Sequence, residues 1–280
     1  MRVAVMTDST AYIPAHLRQQ WNIEMLPLNV FIDDVSYQEE VDLQADQFYP
    51  LVRQAKELPK TSQPSIGYIT ETLEKLAVDY DAVVSIHLSS GISGTHQSVI
   101  TAGNMVEGID VYAFDSEISC MAQGFYALEA AQMAHDGKDA ETIMNRLNEM
   151  KQSMRAYFMV DDLSHLHRGG RLNGAQALLG SMLQVKPLLH FVDTKIVPFE
   201  KIRTQKKAIK RILSLFDEDA ATGKPVKAVV IHANRPEDAK MLKNDIEKQY
   251  ANVEISISYF GAVIGTHLGE GSLGLAWYLK

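Results

Sequence analysis

The segment AVVSIHLSSGISGT, residues 82–95, decides the fold class of this 280-residue chain. Its first six residues, Ala82–His87, form a nearly continuous apolar run, which is typical of a strand buried on both faces of a parallel sheet. Small hydroxylated residues and two glycines follow, and residues 93–106 then have helical spacing. A strand, a small-residue loop and a helix in this order predict one unit of an α/β sheet.

The same alternation continues on both sides of this segment through the first half of the chain. Strands are predicted at residues 2–6, 23–32, 82–87 and 111–114, and helices after Pro14 and at residues 44–56, 66–78, 93–106 and 118–135. Strands that alternate with helices favour a doubly wound, mostly parallel sheet.

The second half of the chain has a different pattern. Strands are predicted at residues 156–161, 187–193, 195–201, 226–232 and 253–259, and helices at residues 163–167, 174–183, 204–216 and 236–250. The second and third of these strands form a predicted hairpin that turns at Asp193-Thr194, which indicates an α+β arrangement. A helix at residues 140–154 marks the boundary region. We therefore predict an N-terminal α/β domain at residues 1–152 and a C-terminal α+β domain at residues 153–280.

Composition and charge exclude several classes of protein. A hydrophobic content of 46% allows a sizeable core, and a formal net charge of -8 argues against a nucleic-acid partner. The basic residues between Lys201 and Arg211 are best explained as a solvated helix face. Since no apolar run approaches the ~20 residues that a membrane-spanning helix needs, we expect no stable membrane insertion.

Cysteine content and the start of the chain bear on the compartment. The one cysteine, Cys120, cannot form an internal disulfide, which fits a reducing environment. It lies in an apolar helical run, so a buried, inert thiol is the favoured interpretation. The chain enters a predicted strand at once, so we expect no signal peptide and predict a cytoplasmic protein.

Four loops combine small hydroxylated residues with glycine, proline or acids, at residues 8–10, 61–65, 89–95 and 115–116. Three of them follow strands, and ligands of open α/β sheets bind at such carboxyl ends, whereas loop 61–65 precedes a helix. In loop 89–95 the glycines let the backbone approach a ligand, and the helix that follows offers free N–H groups to an anion. A hydroxyl-rich cap is also an ordinary helix start, so anion binding and simple capping are equally supported.

Several motifs of known enzymes and binding sites do not explain the function of this chain. The residues around Ser93 lack the Gly-x-Ser-x-Gly spacing of a nucleophile elbow. Residues 269–274 match Gly-x-Gly-x-x-Gly, but no strand-helix-strand unit follows them, so a dinucleotide site is rejected. His165 and His167, beside two aspartates, are better explained as surface polar residues than as metal ligands.

At three further positions, both a structural and a functional role are compatible with the sequence. Arg171 follows two glycines, where a helix C-cap with solvated charge and an anion contact are equally supported. Arg203 precedes the predicted N-cap Thr204, and a surface arginine is the plain interpretation. His267 lies in the glycine-dense run 261–269, where a functional and a structural role are equally supported.

Seven motifs together resemble the DegV family. They are Thr7-Asp8-Ser9, Thr61-Ser62-Gln63-Pro64-Ser65, the loop at residues 88–95, Asp115-Ser116, Gly169-Gly170-Arg171, Lys186-Pro187 and the glycine-rich run 261–269. The motifs span nearly the whole chain in the family's order. The pair Thr-Ser-Gln-Pro-Ser and Ser-Gly-x-Ser-Gly-Thr is the most specific part of the resemblance.

The resemblance implies a fold and a function. It implies two α/β domains with a long-chain fatty acid bound between them, in the binding subunit of a bacterial fatty acid kinase. A separate ATP-dependent kinase would phosphorylate the carboxylate of the bound acid, and the acyl phosphate would enter phospholipid synthesis, with a phosphate acyltransferase as a further candidate partner. The chain itself would be a carrier and not an enzyme, with no metal and no cofactor besides its fatty acid ligand.

The resemblance also implies roles for particular residues. Thr61 and Ser93 would bond the carboxylate and His267 would join that network, while supporting loop residues are Ser62, Gly94 and Thr95. Arg171 and Arg203 match functional arginines of the family. Because neither arginine lies in an apolar run, we expect both to serve the kinase encounter or a phosphate and neither to line the cavity for the acyl tail.

Two other functions compete with this one. A phosphotransferase subunit resembling the dihydroxyacetone kinases would use a histidine, His267 or His96, to bind its substrate covalently. A lipid-sensing regulator is a third class. Fatty acid in an organic extract of the purified protein would separate a lipid carrier from a triose-binding subunit.

Overall fold

The structure of the chain is a computed structural model that describes residues 2–172 and 186–280. The helix predicted at residues 174–183 lies outside the described residues. The helices and strands of the first half are β1 (Val3–Asp8), α1 (Ala15–Gln20), β2 (Ile23–Leu26), β3 (Asn29–Ile32), β4 (Val35–Gln38), α2 (Ala45–Gln54), β5 (Lys60–Ser62), α3 (Ile66–Ala77), β6 (Ala82–His87), α4 (Thr95–Gly103), β7 (Asp110–Asp115), α5 (Cys120–His135) and α6 (Ala140–Ser153).

A four-stranded parallel sheet of order β2-β1-β6-β7 organises the first half, as the alternating pattern predicted. All six residues of β6 are buried, because the strand has a neighbour on each side and packed elements above and below. Val84 of β6 pairs with Val5 of β1 and with Tyr112 of β7. The loops at residues 8–10, 89–95 and 115–116 therefore emerge at one edge of this sheet.

The single strand predicted at residues 23–32 is wrong. Pro27 interrupts it, since proline has no N–H for a sheet ladder, and β2 and β3 belong to different sheets. β3 forms a small antiparallel sheet of order β4-β3-β5, in which Thr61 of β5 pairs with Val30. The sequence analysis did not predict β4 or β5. Thr61 therefore differs from the prediction, since it lies in a short edge strand and not in a simple loop before a helix.

The second half consists of β8 (Arg155–Met159), α7 (Ser164–Arg168), β9 (Lys186–Val192), β10 (Lys195–Ile202), α8 (Gln205–Ala220), β11 (Val226–His232), α9 (Pro236–Gln249), β12 (Val253–Tyr259), α10 (Ala262–Leu268) and β13 (Leu273–Leu279). Its sheet has the order β10-β9-β8-β13-β11-β12. Of the strand pairs described in this second sheet, β11 and β12 are parallel and the others are antiparallel. The predicted hairpin at Asp193-Thr194 and the α+β class are confirmed. The division between residues 152 and 153 remains a prediction.

The strand β13 was missed by the sequence analysis, although it lies in the middle of the second sheet. Six of its seven residues are buried, and it pairs antiparallel with both β8 and β11. The chain thus returns from α10 to close this sheet, and the step between them carries Gly269 and Gly271, both with positive φ angles.

The loop after β6 contacts the hairpin of the second sheet directly. The Ser89 hydroxyl donates a hydrogen bond of 2.6 Å to the carbonyl oxygen of Thr194. A Cβ atom on Gly91 would overlap that same carbonyl oxygen, so only glycine fits at this close approach. The hydroxyl-rich loop of the first domain is therefore held against the β9–β10 turn of the second.

We expect Gly91→Ala to lower the free energy of unfolding by about 1–3 kcal/mol, because the clash is with backbone that cannot rotate away. Gly67→Ala is the matched control: no atom lies within 4 Å of a Cβ there, and alanine favours helix by about 0.5–1 kcal/mol over glycine. Urea denaturation compares the two. Equal unfolding free energies in both variants would contradict the close contact.

Candidate functional site

A cavity of about 330 Å³ is lined by residues of both domains. This volume is at the lower end of the ~300–1,000 Å³ usual for small-molecule sites. Most of its wall is aliphatic or aromatic. The apolar side chains of this wall come from Leu28, Leu88, Ile92, Ile118, Ala122, Ala156, Phe158, Leu166, Phe191, Ile196, Ile231, Phe260, Val263, Ile264, Leu268, Leu275 and Ala276.

The predicted polar residues gather on the wall of this cavity. Six of the eight predicted site residues line it: Thr61, Ser62, Ser93, Gly94, Arg171 and His267. Thr95 is fully buried and supports the site from behind, since its hydroxyl lies 2.9 Å from that of Ser93. Arg203 is exposed and is not among the described residues that line the cavity. The expectation that neither arginine lines the cavity is therefore wrong for Arg171.

The two domains meet in a hydrogen bond between Thr61 and His267. The Thr61 Oγ1 atom lies 2.9 Å from His267 Nε2, which joins β5 to α10 across 206 positions of sequence. Burial, together with the smaller effects of the charges on Arg171 and His165, lowers the pKa of His267 to about 4. The imidazole is therefore neutral at physiological pH and presents one donor and one acceptor nitrogen.

The Ser93 hydroxyl lies at the start of α4. It accepts a hydrogen bond of 3.3 Å from the N–H of Thr95. Gln63, a residue of the Thr-Ser-Gln-Pro-Ser motif without an assigned role, packs against Gly94 so closely that a Cβ there would overlap its side chain. The Gln63 amide donates to the Ser98 hydroxyl at 2.6 Å. Loops 61–65 and 89–95 therefore interlock, which sets Thr61 and Ser93 on the same wall.

Arg171 is fixed in this wall by backbone acceptors. Its Nε donates to the carbonyl oxygen of Ile92 at 3.1 Å, and its Nη1 donates to that of Gly169. Half-burial lowers the pKa of Arg171, but a guanidinium remains charged in proteins. The site thus carries one fixed positive charge beside two hydroxyls and a neutral imidazole, which suits an anionic head group.

A buried carboxyl that the sequence analysis did not identify anchors the helix of His267. Glu39 accepts hydrogen bonds from the Ser9 hydroxyl at 2.6 Å, from the Tyr12 hydroxyl at 3.0 Å and from the N–H of Val263 at 2.7 Å. Val263 lies in the first turn of α10, so Glu39 of the first domain caps a helix of the second. Burial raises the pKa of Glu39 to about 7 in spite of these three donors.

Glu39 should make stability fall as the pH rises from about 5 to 8. In that interval the unfolded chain has lost a proton that the folded chain still holds, so the folded state loses its advantage as the pH approaches its pKa of about 7. Relative to Glu39→Gln, wild-type unfolding free energy should fall by roughly 2–4 kcal/mol over the interval. Chemical denaturation at several pH values measures this, with exposed Glu237→Gln as the control that keeps the wild-type slope. If the unfolding free energy of Glu39→Gln fell with pH as steeply as that of wild type, Glu39 would be excluded as the cause of the pH dependence.

Other candidates from the sequence occupy less reactive positions. Cys120 lines the cavity but is buried, and burial raises the pKa of its thiol. His96 does not line the cavity among the described residues. Within residues 2–172 and 186–280, no group of three or more His, Cys, Asp or Glu residues is placed to hold a metal ion. In the same part of the chain, no helix combines the length and apolar character needed to cross a bilayer.

Comparisons with known proteins agree with this architecture. The family model for DegV, a family of uncharacterised proteins, matches residues 2–280. Protein DegV from Bacillus subtilis is 58% identical over 281 residues, covering 100% of both chains. A crystal structure of DegV from Bacillus subtilis, described as a fatty acid binding protein, has a TM-score of 0.96 to this chain at 58% identity, with 100% of both chains covered.

Two more distant structures have the same fold. A fatty-acid-binding DegV family protein from Thermus thermophilus is 29% identical, with a TM-score of 0.93 over 100% of both chains. A fatty acid binding DegV family protein from Streptococcus agalactiae is 33% identical, with a TM-score of 0.90 over 100% of this chain and 99% of that one. The match of the family model over nearly the full length, together with the identity to the Bacillus protein, means that this chain belongs to the DegV family.

Proposed function

We propose that this chain binds one long-chain fatty acid, with the acyl tail in the cavity shared by the two domains and the carboxylate at Thr61 and Ser93. The observation that carries the proposal is the cavity itself, whose wall is mostly apolar and also carries the polar side chains of Thr61, Ser93, Arg171 and His267. A fatty acid has the same division into one anionic end and one long apolar part. The fatty-acid-binding relatives of the same fold support the assignment.

The head group would be held by charge-assisted hydrogen bonds. The Thr61 hydroxyl has one proton, and if it donates that proton to a carboxylate, it must accept from His267 Nε2, which lies 2.9 Å from its Oγ1 atom. This arrangement requires the imidazole tautomer with its proton on Nε2. The neutral imidazole thus sets the direction of the Thr61 hydroxyl. Ser93 supplies a second hydroxyl, and Arg171 supplies a positive charge fixed by the Ile92 carbonyl.

The tail would supply most of the affinity. Each methylene moved from water to an apolar wall contributes about 0.8 kcal/mol, so a chain of fourteen methylenes has a gross gain of about 11 kcal/mol before association costs. The polar groups then fix the position of the carboxylate more than they add affinity.

We further propose that the bound acid is phosphorylated by a separate ATP-dependent kinase, and that this chain is a carrier subunit of the cytoplasm rather than an enzyme. Through a phosphate acyltransferase, the acyl phosphate would enter phospholipid synthesis. The family resemblance supports this part of the proposal. A dihydroxyacetone-kinase-like function fits less well, because a triose is polar and the wall of the cavity is mostly apolar.

A variant of Arg203 tests the presentation of the fatty acid to the kinase separately from the binding of the fatty acid. Because its side chain is exposed and away from the described cavity wall, we expect Arg203→Ala to keep its fatty acid and to slow acyl-phosphate formation by about tenfold, the effect of ~1.4 kcal/mol of lost transition-state contact. The assay combines the lipid-loaded protein, ATP and the partner kinase, with exposed Lys206→Ala as the control. Normal turnover by Arg203→Ala, or loss of its lipid, would remove Arg203 from the kinase encounter.

A further inference from the structure

The Thr7-Asp8-Ser9 motif lies at the end of β1 and has no role in the site described above. All three side chains are at most 1% exposed. None of them is among the described residues that line the cavity shared by the two domains, here the apolar cavity. Buried polar groups are as a rule hydrogen-bonded, so the partners of this motif show what it holds in place.

Asp8 holds the start of loop 89–95. Its Oδ2 atom accepts a hydrogen bond of 3.0 Å from the N–H of Leu88 and lies 3.0 Å from His87 Nδ1. Ser89 follows at once, and its carbonyl oxygen accepts a hydrogen bond of 3.1 Å from the N–H of Ser93. The loop that carries Ser93 is therefore tied to the end of β1.

Ser9, the next residue, is tied to the helix that carries His267. Its hydroxyl donates to Glu39 at 2.6 Å and accepts from the N–H of Leu28 at 3.1 Å, so the direction of this hydroxyl is fixed. The carboxyl of Glu39 also accepts the N–H of Val263 at 2.7 Å. Val263 is the second residue of the seven-residue helix α10, and His267 is the sixth. A shift of the first turn of this short helix therefore moves the imidazole.

Tyr12 completes this connection on the side of the first domain. Its hydroxyl donates to Glu39 at 3.0 Å and lies 3.4 Å from the N–H of Ile264 in the first turn of α10. A Cβ atom on Gly261 would overlap the Tyr12 ring, so only glycine allows α10 to begin this close to it. Ser9, Glu39 and Tyr12, here the buried link, therefore fix the start of α10 against the first domain.

We propose that the buried link positions the carboxylate site: it fixes His267, and through His267 the direction of the Thr61 hydroxyl, relative to Ser93. This inference rests on the proposed function. Asp8 and Ser9 are adjacent, so the loop of Ser93 and the helix of His267 are both held by neighbouring residues of one buried turn. No residue of the link is among the described residues that line the apolar cavity. The link therefore acts through His267 and not on the ligand.

The head group should depend on this link far more than the tail does. A hydrogen bond weakens steeply as its angle departs from linear, whereas the burial of an acyl tail has no direction. Since the link is buried, no solvent replaces a bond that moves out of line. A displaced imidazole should therefore weaken the binding of an acid and leave a neutral lipid with the same tail almost unaffected.

The ratio of the affinities for palmitate and hexadecanol tests this, because hexadecanol has the same tail and a neutral head. Displacement of a fluorescent fatty acid measures both affinities at about pH 8, above the pKa of about 7 that burial gives Glu39. We expect Ser9→Ala and Tyr12→Phe each to lower the ratio at least about threefold, and the double variant about tenfold, since each removes a donor to Glu39. Tyr12→Phe keeps the ring and decides the test where Ser9→Ala fails to fold.

Two controls separate positioning from stability. Glu39→Gln keeps a side-chain oxygen that can accept the N–H of Val263, so it should retain most of the wild-type ratio. Trp277→Phe removes a hydrogen bond of 2.7 Å to Asp219, where β13 packs against α8. It should leave the ratio unchanged even where it lowers the melting temperature.

A double-variant cycle tests the route through Thr61. In Thr61→Val the hydroxyl that His267 orients is absent, so the addition of Ser9→Ala should change the ratio by less than about twofold. In Ser93→Ala, which keeps the Thr61 hydroxyl, Ser9→Ala should still lower the ratio about threefold. A general loss of folded structure would not depend on the background in this way.

Three outcomes would overturn the inference. One is an unchanged ratio in both Ser9→Ala and Tyr12→Phe, whether the two affinities fall together or neither falls. Another is a full effect of Ser9→Ala in the Thr61→Val background. The third is that Trp277→Phe or Glu39→Gln lowers the ratio as far as Ser9→Ala does. A wild type that binds neither lipid would contradict the proposed function itself, so the two failures are distinguishable.

Discussion

Ala276→Phe is expected to weaken the binding of palmitate by at least about 100-fold. Ala276 lies in β13, the strand in the middle of the second sheet, and its buried side chain lines the apolar cavity. A benzyl group there occupies space that the proposal assigns to the tail. Excluding four methylenes from an apolar wall costs about 3 kcal/mol, which corresponds to a factor above 100 in the dissociation constant.

Two further variants provide a control and an alternative for Ala276→Phe. Ala276→Gly changes the same position in the opposite sense and should keep its lipid. Overpacking by phenylalanine typically costs about 1–3 kcal/mol and could lower the yield of folded Ala276→Phe. Ala122→Leu, which fills the same cavity from α5, is the alternative variant in that case. Binding is followed by displacement of a fluorescent fatty acid, and folding by thermal melting. A folded Ala276→Phe or Ala122→Leu variant with wild-type affinity would show that the tail lies elsewhere.

Thr61→Val combined with Ser93→Ala should remove both hydroxyls from the carboxylate. A hydrogen bond to a charged group contributes about 1.5–3 kcal/mol, so each single variant should weaken palmitate by roughly 10- to 150-fold, and the double variant more. The expected loss depends on the charge of the head group. Hexadecanol, which has the same tail and a neutral head, should therefore lose far less affinity in each variant.

The comparison of the two ligands isolates the head group from the fold. Thr61→Ser retains the hydroxyl and should recover most of the affinity for palmitate, because only a methyl group is lost. Equal losses for palmitate and hexadecanol in Thr61→Val would point to a damaged cavity and not to a lost carboxylate contact. Unchanged palmitate affinity in both single variants would remove Thr61 and Ser93 from the site.

Much of the fold follows from local signals in the sequence. β6, β11 and β12 were predicted with their observed ends, since each is an apolar or alternating run between clear breaks. β13 was missed because its run follows a glycine-rich segment that obscures strand signals. β5 has only three residues, and its pairing with β3 is a tertiary contact that no local pattern encodes.

The sequence indicates some of the individual site residues but not the tertiary contacts that bring them together. Loop 89–95 has a local signal, because glycines and hydroxyls at a helix start indicate a ligand or a cap. The bond between Thr61 and His267 joins residues 206 positions apart, so only the family resemblance suggested their proximity. Arg171 lines the cavity because its side chain turns inward to the Ile92 carbonyl, which spacing along the chain does not reveal. Glu39 carries no motif at all, and its role depends on burial against α10.

Native mass spectrometry of the gently purified protein, with analysis of its organic extract, tests the central claim most directly. We expect a single species heavier than the bare chain by the mass of one long-chain fatty acid, and we expect that acid in the extract in an amount equal to that of the protein. Ala276→Phe purified in parallel should give the bare mass, which shows that the acid occupies the apolar cavity. A wild-type protein that carries no lipid, and that gains no mass after incubation with palmitate, would contradict the account.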